Sequence, residues 1–181
     1  MSRVRRTLAD VRTGADGEPY ANGRIGVLCD IAETRRKTNR AAMRAAFADA
    51  KRATGSAPGG AYRDYELKKV ADVRARTGDF AGAVGTAERI GDPRERAGVL
   101  LAVAEAWLAA KNSAGARDTL SRAEKATNQV PHAYHRAVLL LHIAVDRAAV
   151  DDREGSERAS SRARQLLITA KREATPIHDP Y

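Results

Sequence analysis

The sequence is poor in cysteine and in aromatic residues. Cys29 is the single cysteine among 181 residues, and Phe, Trp and Tyr together make up 4% of the chain. One thiol cannot form a disulfide within the chain, so a disulfide-stabilised fold is excluded. A core with so few rings must be filled by small side chains, which favours helices packed on helices, because alanine is the best helix former. We expect Cys29 to be a buried, unreactive thiol.

Long apolar segments are missing as well. The longest apolar stretch, residues 137–145, contains His142 and is much shorter than the roughly 20 residues that span a bilayer. The pair Arg5-Arg6 near the start is followed by no apolar segment of the kind found in a secretory signal. We therefore expect a cytoplasmic protein that does not bind membranes.

Four segments of the chain share one spacing, in which an arginine stands seven residues before an aliphatic–alanine pair. They are Arg24 with Ile31-Ala32, Arg63 with Val70-Ala71, Arg96 with Val103-Ala104, and Arg136 with Ile143-Ala144. Successive pairs are 39, 33 and 40 residues apart, and each lies in a helical apolar pattern that a second helical pattern follows. The sequence thus predicts four helix hairpins, at about 24–54, 62–91, 93–127 and 131–172.

Capping residues mark the ends of these helices. Gly78 suits the left-handed end of a helix, Asp79 the start of the next, and Asp92 with Pro93 a further start. Thr38-Asn39 and Asp151-Asp152 mark similar breaks. The prediction is an all-α fold of about eight main helices. A basic arm with a short helix precedes it at 1–23, and a non-helical tail follows at 173–181. The densely apolar segment 138–145 indicates a helix buried on more than one side.

The second hairpin resembles a tetratricopeptide (TPR) repeat. The resemblance is carried by Leu67, Val70, Ala71, Gly78-Asp79-Phe80, Ala83 and Pro93, and in the third hairpin by Val103-Ala104, Trp107, Ala116 and Leu120. It covers roughly residues 62–127, and Arg74 stands where the family prefers an aromatic residue. The resemblance implies antiparallel hairpins stacked as a right-handed α-solenoid. A compact α–α bundle built from the same hairpins is the alternative.

In TPR-like folds the first helix of each hairpin lines a concave surface that binds peptides. The positions implied here are Glu33, Arg36, Lys37, Tyr65, Lys68, Asp72, Arg76, Leu101 and Glu105. The cations among them suit a carboxylate or an acidic peptide. We therefore expect a non-catalytic scaffold or adaptor that binds a protein or peptide partner and needs no cofactor. A solvated face with internal ion pairs is the simpler alternative, and self-association is also open.

Uneven charge suggests nucleic acid as a second possible partner. The net charge of +9 is concentrated in residues 1–69, which hold 15 basic and 8 acidic residues. The candidate cations are Arg3, Arg5, Arg6, Arg36, Lys37, Arg40 and Arg44. On one continuous helix Arg36, Arg40 and Arg44 would share a face and could neutralise phosphates. The scarcity of aromatic residues argues against binding of single strands, which stack their bases on such rings.

One histidine spacing is compatible with a metal ion. His135, His142 and Asp146 recur at steps of seven and four, so one helical face could offer nitrogen and oxygen ligands to zinc. No second cluster completes the ligand set, and we predict no metal site. The chain also has no phosphate-binding glycine loop, no GxSxG and no HExxH, so we expect no enzymatic activity.

Overall fold

The computed structural model describes residues 21–56 and 59–174, and within these ranges every regular element is an α-helix. The predicted all-α fold of about eight helices is confirmed. The predicted N-terminal arm with Arg3, Arg5 and Arg6 lies outside the described residues, as does the tail beyond residue 174. The sequence predicts one repeat domain over 24–172, whereas the structure divides into two compact units, Met1–Thr86 and Ala87–Tyr181.

The part of the first unit that the structure describes contains four helices. They are α1 (Ala21–Arg35), α2 (Arg40–Ser56), α3 (Ala61–Arg76) and α4 (Phe80–Ala87), the last of which ends at the boundary between the units. Helix α1 packs against both α2 and α3, and α2 also contacts α3. Their core is made of small and aliphatic side chains around the single ring of Phe47, which is 2% exposed. Cys29 lies in this core, as predicted.

The first three helices of the second unit repeat the contacts made among α1, α2 and α3. The helices of this unit are α5 (Pro93–Ala109), α6 (Ser113–Thr127), α7 (Ala133–Ala149) and α8 (Arg153–Ala174). Helix α5 packs against α6 and α7, α6 contacts α7, and α7 packs against α8. In both units the first helix of a hairpin therefore touches its own partner and the first helix of the next hairpin.

The aliphatic–alanine pairs lie inside these contacts, as the spacing predicts. The exposed fraction of each alanine is 0% at Ala32, Ala71 and Ala104, and 4% at Ala144. The aliphatic partners are equally buried except Ile31, which is partly buried against the core of the first unit. Because alanine has no side chain beyond Cβ, two helix backbones can approach each other at these positions.

Three of the helix turns are built alike. A residue with positive φ precedes the N-cap in each, namely Gly78 (83°), Lys111 (58°) and Asp151 (59°). The N-caps are Asp79, Asn112 and Asp152, and each side chain accepts a hydrogen bond from the backbone N–H of the glycine three residues later, at 3.2, 2.9 and 3.0 Å. The predicted caps at Gly78 and Asp79 are confirmed. Asp92 is likewise confirmed, since its Oδ1 accepts a hydrogen bond from Glu95 N at 2.8 Å.

The predicted basic face over residues 36–44 is wrong. Helix α1 ends at Arg35, and Arg36 lies in the turn before α2. Asn39 caps α2 by accepting a hydrogen bond from Ala42 N at 2.9 Å. Because a helix boundary separates Arg36 from Arg40, only Arg40 and Arg44 share a helix.

Two predictions about apolar residues are also corrected. Leu101, expected on the concave surface, is 4% exposed and therefore belongs to the core. The dense apolar segment of α7 is buried on one side only, because Val145 is 70% exposed and Leu141 39% exposed. Helix α5 is instead the one whose consecutive residues Val99, Leu100 and Leu101 are all buried.

Candidate partner-binding surface

The ends of α1 and α3 meet at a group of charged side chains in the first unit. Glu33 Oε2 lies 3.6 Å from Arg76 Nη2. Arg36 Nη1 donates a hydrogen bond of 2.9 Å to the backbone oxygen of Arg76. A helix leaves its last carbonyl groups without partners, and the guanidinium of Arg36 satisfies one of them. The structure thus brings together residues that are 40 positions apart in the sequence.

Asp72 lies one helical turn from Lys68 and one turn from Arg76 on α3. The side chain is half-buried, and its burial raises the pKa of the carboxyl group above the ordinary value. The charges of Lys68 and Arg76 act in the opposite direction. The carboxylate is therefore shielded on both sides by cations, whereas Lys68 and Arg76 themselves are exposed.

Tyr65 and Lys37 extend this group. Tyr65 is 59% exposed on α3, and Lys69 Nζ lies 5.4 Å from the centre of its ring. Lys37 is exposed in the turn after α1. We define the α1–α3 surface as Glu33, Arg36, Lys37, Tyr65, Lys68, Asp72 and Arg76. It holds four cations and two carboxylates, so its formal charge is positive.

Glu105, the remaining predicted contact residue, is exposed on α5 in the second unit. Its charge raises the pKa of Asp146 on α7, in addition to a larger effect of burial, while His142 acts in the opposite direction. The Oδ2 atom of Asp146 is buried without a hydrogen-bond partner. Glu105 is thus part of a small titratable group within the second unit.

The three metal candidates do not form a ligand set. Across residues 21–56 and 59–174 there is no group of three His, Cys, Asp or Glu side chains placed to hold a metal ion. His135 instead packs edge-to-face against His132 at 5.6 Å and against Tyr134 at 5.9 Å between ring centres. His142 and Asp146 lie about two and three turns further along α7.

The structure describes four of the seven cations predicted to bind nucleic acid, and Arg3, Arg5 and Arg6 lie outside the described residues. Arg36, Lys37, Arg40 and Arg44 are all exposed, two of them in the turn and two in the first turns of α2. They form a short basic segment rather than the helical stripe predicted from their spacing.

Sequence reasoning missed a side chain that closes three of the turns. Arg74, Trp107 and Arg147 stand five residues before the N-caps described above, and each lies against the glycine that donates to the cap. Arg74 Nη1 is 3.0 Å from Asp79 Oδ2, and its guanidinium lies 4.7 Å from the centre of the Phe47 ring. The sequence contains a signal for this position, because each of these residues stands four positions after the aliphatic residue of an aliphatic–alanine pair.

None of the helices in the described ranges combines the length and apolar character needed to cross a membrane. Comparison with known proteins gives no family model, no curated protein and no solved structure that matches this chain.

Proposed function

We propose that the protein is a non-catalytic interaction module of TPR-like build, whose α1–α3 surface binds an acidic segment of a protein partner. The observation that carries the proposal is the meeting of Arg36 and Arg76 at the ends of two neighbouring helices. Lys68 lies two turns earlier on α3, on the other side of Asp72 from Arg76. The TPR-like build is supported by the contacts of α1 with α3 and of α5 with α7, which repeat within each unit.

The chemistry of the surface favours an acidic ligand. Guanidinium and ammonium groups donate charge-assisted hydrogen bonds to carboxylates, which are about twice as strong as those between neutral groups. Glu33 is paired with Arg76 and Asp72 lies between cations, so the two carboxylates of the surface leave a net positive charge. Exposed Tyr65 adds a rigid apolar contact beside this charge.

Binding of nucleic acid is the second candidate function. It is supported by the exposed cations Arg36, Lys37, Arg40 and Arg44 and by the excess of basic residues over 1–69. Contacts to phosphates release counterions, so this binding would weaken steeply as salt is raised and would not depend on sequence.

The two functions can be separated with labelled probes. Fluorescence anisotropy would follow binding of a glutamate-rich peptide and of a DNA duplex to the full chain. We expect the wild type to bind the peptide, and Lys68→Glu with Arg76→Glu to weaken it about tenfold or more. Arg94→Glu with Arg153→Glu makes the same charge change at exposed helix starts of the second unit and serves as the matched control.

The double variant should remain folded, because the Glu33–Arg76 pair is exposed and such pairs contribute about 1 kcal/mol or less. Circular dichroism would establish this. Equal binding of the peptide by both double variants would contradict the α1–α3 surface. Binding of the duplex, lost by Arg40→Glu with Arg44→Glu while the peptide is ignored, would favour the second function.

A further inference from the structure

Two cavities in the second unit are related by a constant step of 40 residues. The first, the Glu88 cavity, has a volume of about 400 Å³ and is lined in part by Glu88, Arg96, Ser121, Arg122, Lys125 and Ala126. The second, the Asn128 cavity, has a volume of about 500 Å³ and is lined by Asn128, Arg136, Ser161, Arg162, Gln165 and Leu166. Adding 40 to each number of the first set gives the second set.

The two cavities also share hydrogen bonds. Arg96 Nη1 donates to the backbone oxygen of Ile90 at 2.9 Å, and Arg136 Nη1 donates to that of Val130 at 3.2 Å. In each cavity the second arginine then reaches a residue 34 positions before it. Arg122 pairs with Glu88, and Arg162 Nη2 donates to Asn128 Oδ1 at 2.7 Å. The cavities are therefore two copies of one structural arrangement.

In the Glu88 cavity one of the two arginines is paired with carboxylates. Arg122 contacts two carboxylates, Glu88 and Asp118, and the second contact measures 2.8 Å between Nε and Oδ2. Arg96 also donates from Nη2 to the side-chain oxygen of Gln129. The guanidinium groups of Arg96 and Arg122 are thus both engaged at two positions within the protein.

The Asn128 cavity has lost these partners. Neutral Asn128 replaces Glu88, Arg158 stands at the position of Asp118, and none of the six lining side chains is a carboxylate. Within the described ranges the guanidinium of Arg136 makes one hydrogen bond, from Nη1, so its Nη2 edge is not engaged as that of Arg96 is. Glu124 on α6 meets Arg162 at 3.0 Å, which leaves Arg136 as the uncompensated charge.

We propose that the Asn128 cavity binds the oxyanion of a small molecule, either a carboxylate or a phosphate. Arg136 supplies the charge, because a planar guanidinium edge matches both anions. The amides of Asn128 and Gln165 and the hydroxyl of Ser161 add uncharged donors. Leu166 contacts the apolar part of the ligand. The volume lies within the range of small-molecule sites, about 300–1,000 Å³.

This site is independent of the proposed partner surface. All its lining residues belong to the second unit, and none belongs to the α1–α3 surface of the first.

The test uses the full chain and two probes, inorganic phosphate and butyrate, each titrated separately. Two-dimensional NMR would follow the side-chain amides of Asn128 and Gln165. We expect saturable shifts with at least one probe. Arg136→Gln should weaken binding about tenfold or more, whereas Arg96→Gln, which breaks the same kind of bond to a turn carbonyl, should leave it within about twofold. The probe that binds more tightly identifies the oxyanion.

A second variant removes the site without removing an arginine. Asn128→Glu installs the residue of the Glu88 cavity and should abolish binding. Gln129→Glu makes the same charge change at the adjacent residue, which does not line the Asn128 cavity, and is the matched control. Absence of saturable shifts with both probes would overturn the proposal. Equal weakening by Arg96→Gln and Arg136→Gln, or wild-type affinity in Asn128→Glu, would also overturn it.

Discussion

Arg147 Nη2 lies 2.8 Å from Glu124 Oε2, and this ion pair joins α7 to α6. Arg147 is 8% exposed, and its Nη1 pairs with Asp152, the N-cap of α8. The other carboxylate oxygen of Glu124, Oε1, lies 3.0 Å from Arg162 Nη1 on α8. One buried guanidinium therefore ties together three helices of the second unit.

Removal of Arg147 should destabilise the protein strongly. Arg147→Ala leaves Asp152 without this charged partner and Glu124 with Arg162 alone, and because both carboxylates are only partly exposed we expect a loss of about 2–3 kcal/mol. Urea denaturation would measure the loss in the free energy of unfolding. Arg158→Ala is the matched control, because its pair with Glu154 is exposed and should change stability by less than about 0.5 kcal/mol. Similar losses for both variants would contradict the role of Arg147.

Two glycine substitutions should have opposite effects. A Cβ at Gly115 would lie 2.6 Å from Cδ2 of Trp107, so Gly115→Ala should displace the indole and cost about 1–3 kcal/mol. At Gly98 in α5 nothing lies within 4 Å, and Gly98→Ala should stabilise the helix by about 0.5–1 kcal/mol. Thermal unfolding should show a lower melting temperature for Gly115→Ala and a higher one for Gly98→Ala. Trp107 fluorescence should change only for Gly115→Ala. A stabilised Gly115→Ala would refute the close contact.

The close helix contact at Ala104 can be tested by overpacking. Ala104 is 0% exposed, so Ala104→Trp has no space and should prevent native folding. Ala102 lies two residues away on the exposed side of the same helix, and Ala102→Trp should fold normally. Circular dichroism and size-exclusion chromatography would compare the two. Native behaviour of Ala104→Trp would show that the helices are not in close contact there.

Asp146 should make stability depend on pH. Burial and Glu105 raise the pKa of its carboxyl group in the folded state, so the folded protein binds this proton more tightly than the unfolded chain. The charged form is therefore destabilising above the raised pKa, and this penalty disappears as pH falls below the unfolded value of about 3.9. Asp146→Asn should be more stable than the wild type at pH 7, with a difference that shrinks towards pH 4. A difference independent of pH would contradict this assignment.

Cys29 should be unreactive while the protein is folded. Burial raises the pKa of its thiol to about 11, and the thiolate is the reactive form. An aromatic disulfide reagent at pH 8 should modify it only after denaturant is added. Rapid modification of the native protein would show that the core of the first unit opens readily.

The ends of the helices could be predicted because they depend on local chemistry. Gly78 and Asp79 act through their own backbone and side-chain geometry, and both are where the sequence placed them. The predicted basic face is wrong because it ignored one such local signal. The four-residue step from Arg36 to Arg40 passes over Asn39, and an N-cap ends the periodicity on which that step depended.

The residues of the candidate sites could not be placed from the pattern of one helix, because their positions depend on packing between helices. Leu101 was expected on the surface of α5. This helix is buried on more than one side, so the residue lies in the core. The step of 40 between Val103 and Ile143 was visible in the sequence. The same step relates Glu88 to Asn128, but only the packing of α5 on α6 and of α7 on α8 shows that these residues line equivalent cavities.

The residue that closes each turn is arginine at 74 and 147 and tryptophan at 107, yet all three present a flat group to the glycine beneath. The charge of this group follows the cap, because Arg74 and Arg147 pair with Asp79 and Asp152, whereas Trp107 precedes the neutral Asn112. A substitution table that scores Arg and Trp as dissimilar therefore misses their equivalent position in these turns. Arginine ahead of an aspartate cap and tryptophan ahead of an asparagine cap are thus two ways to close the same turn.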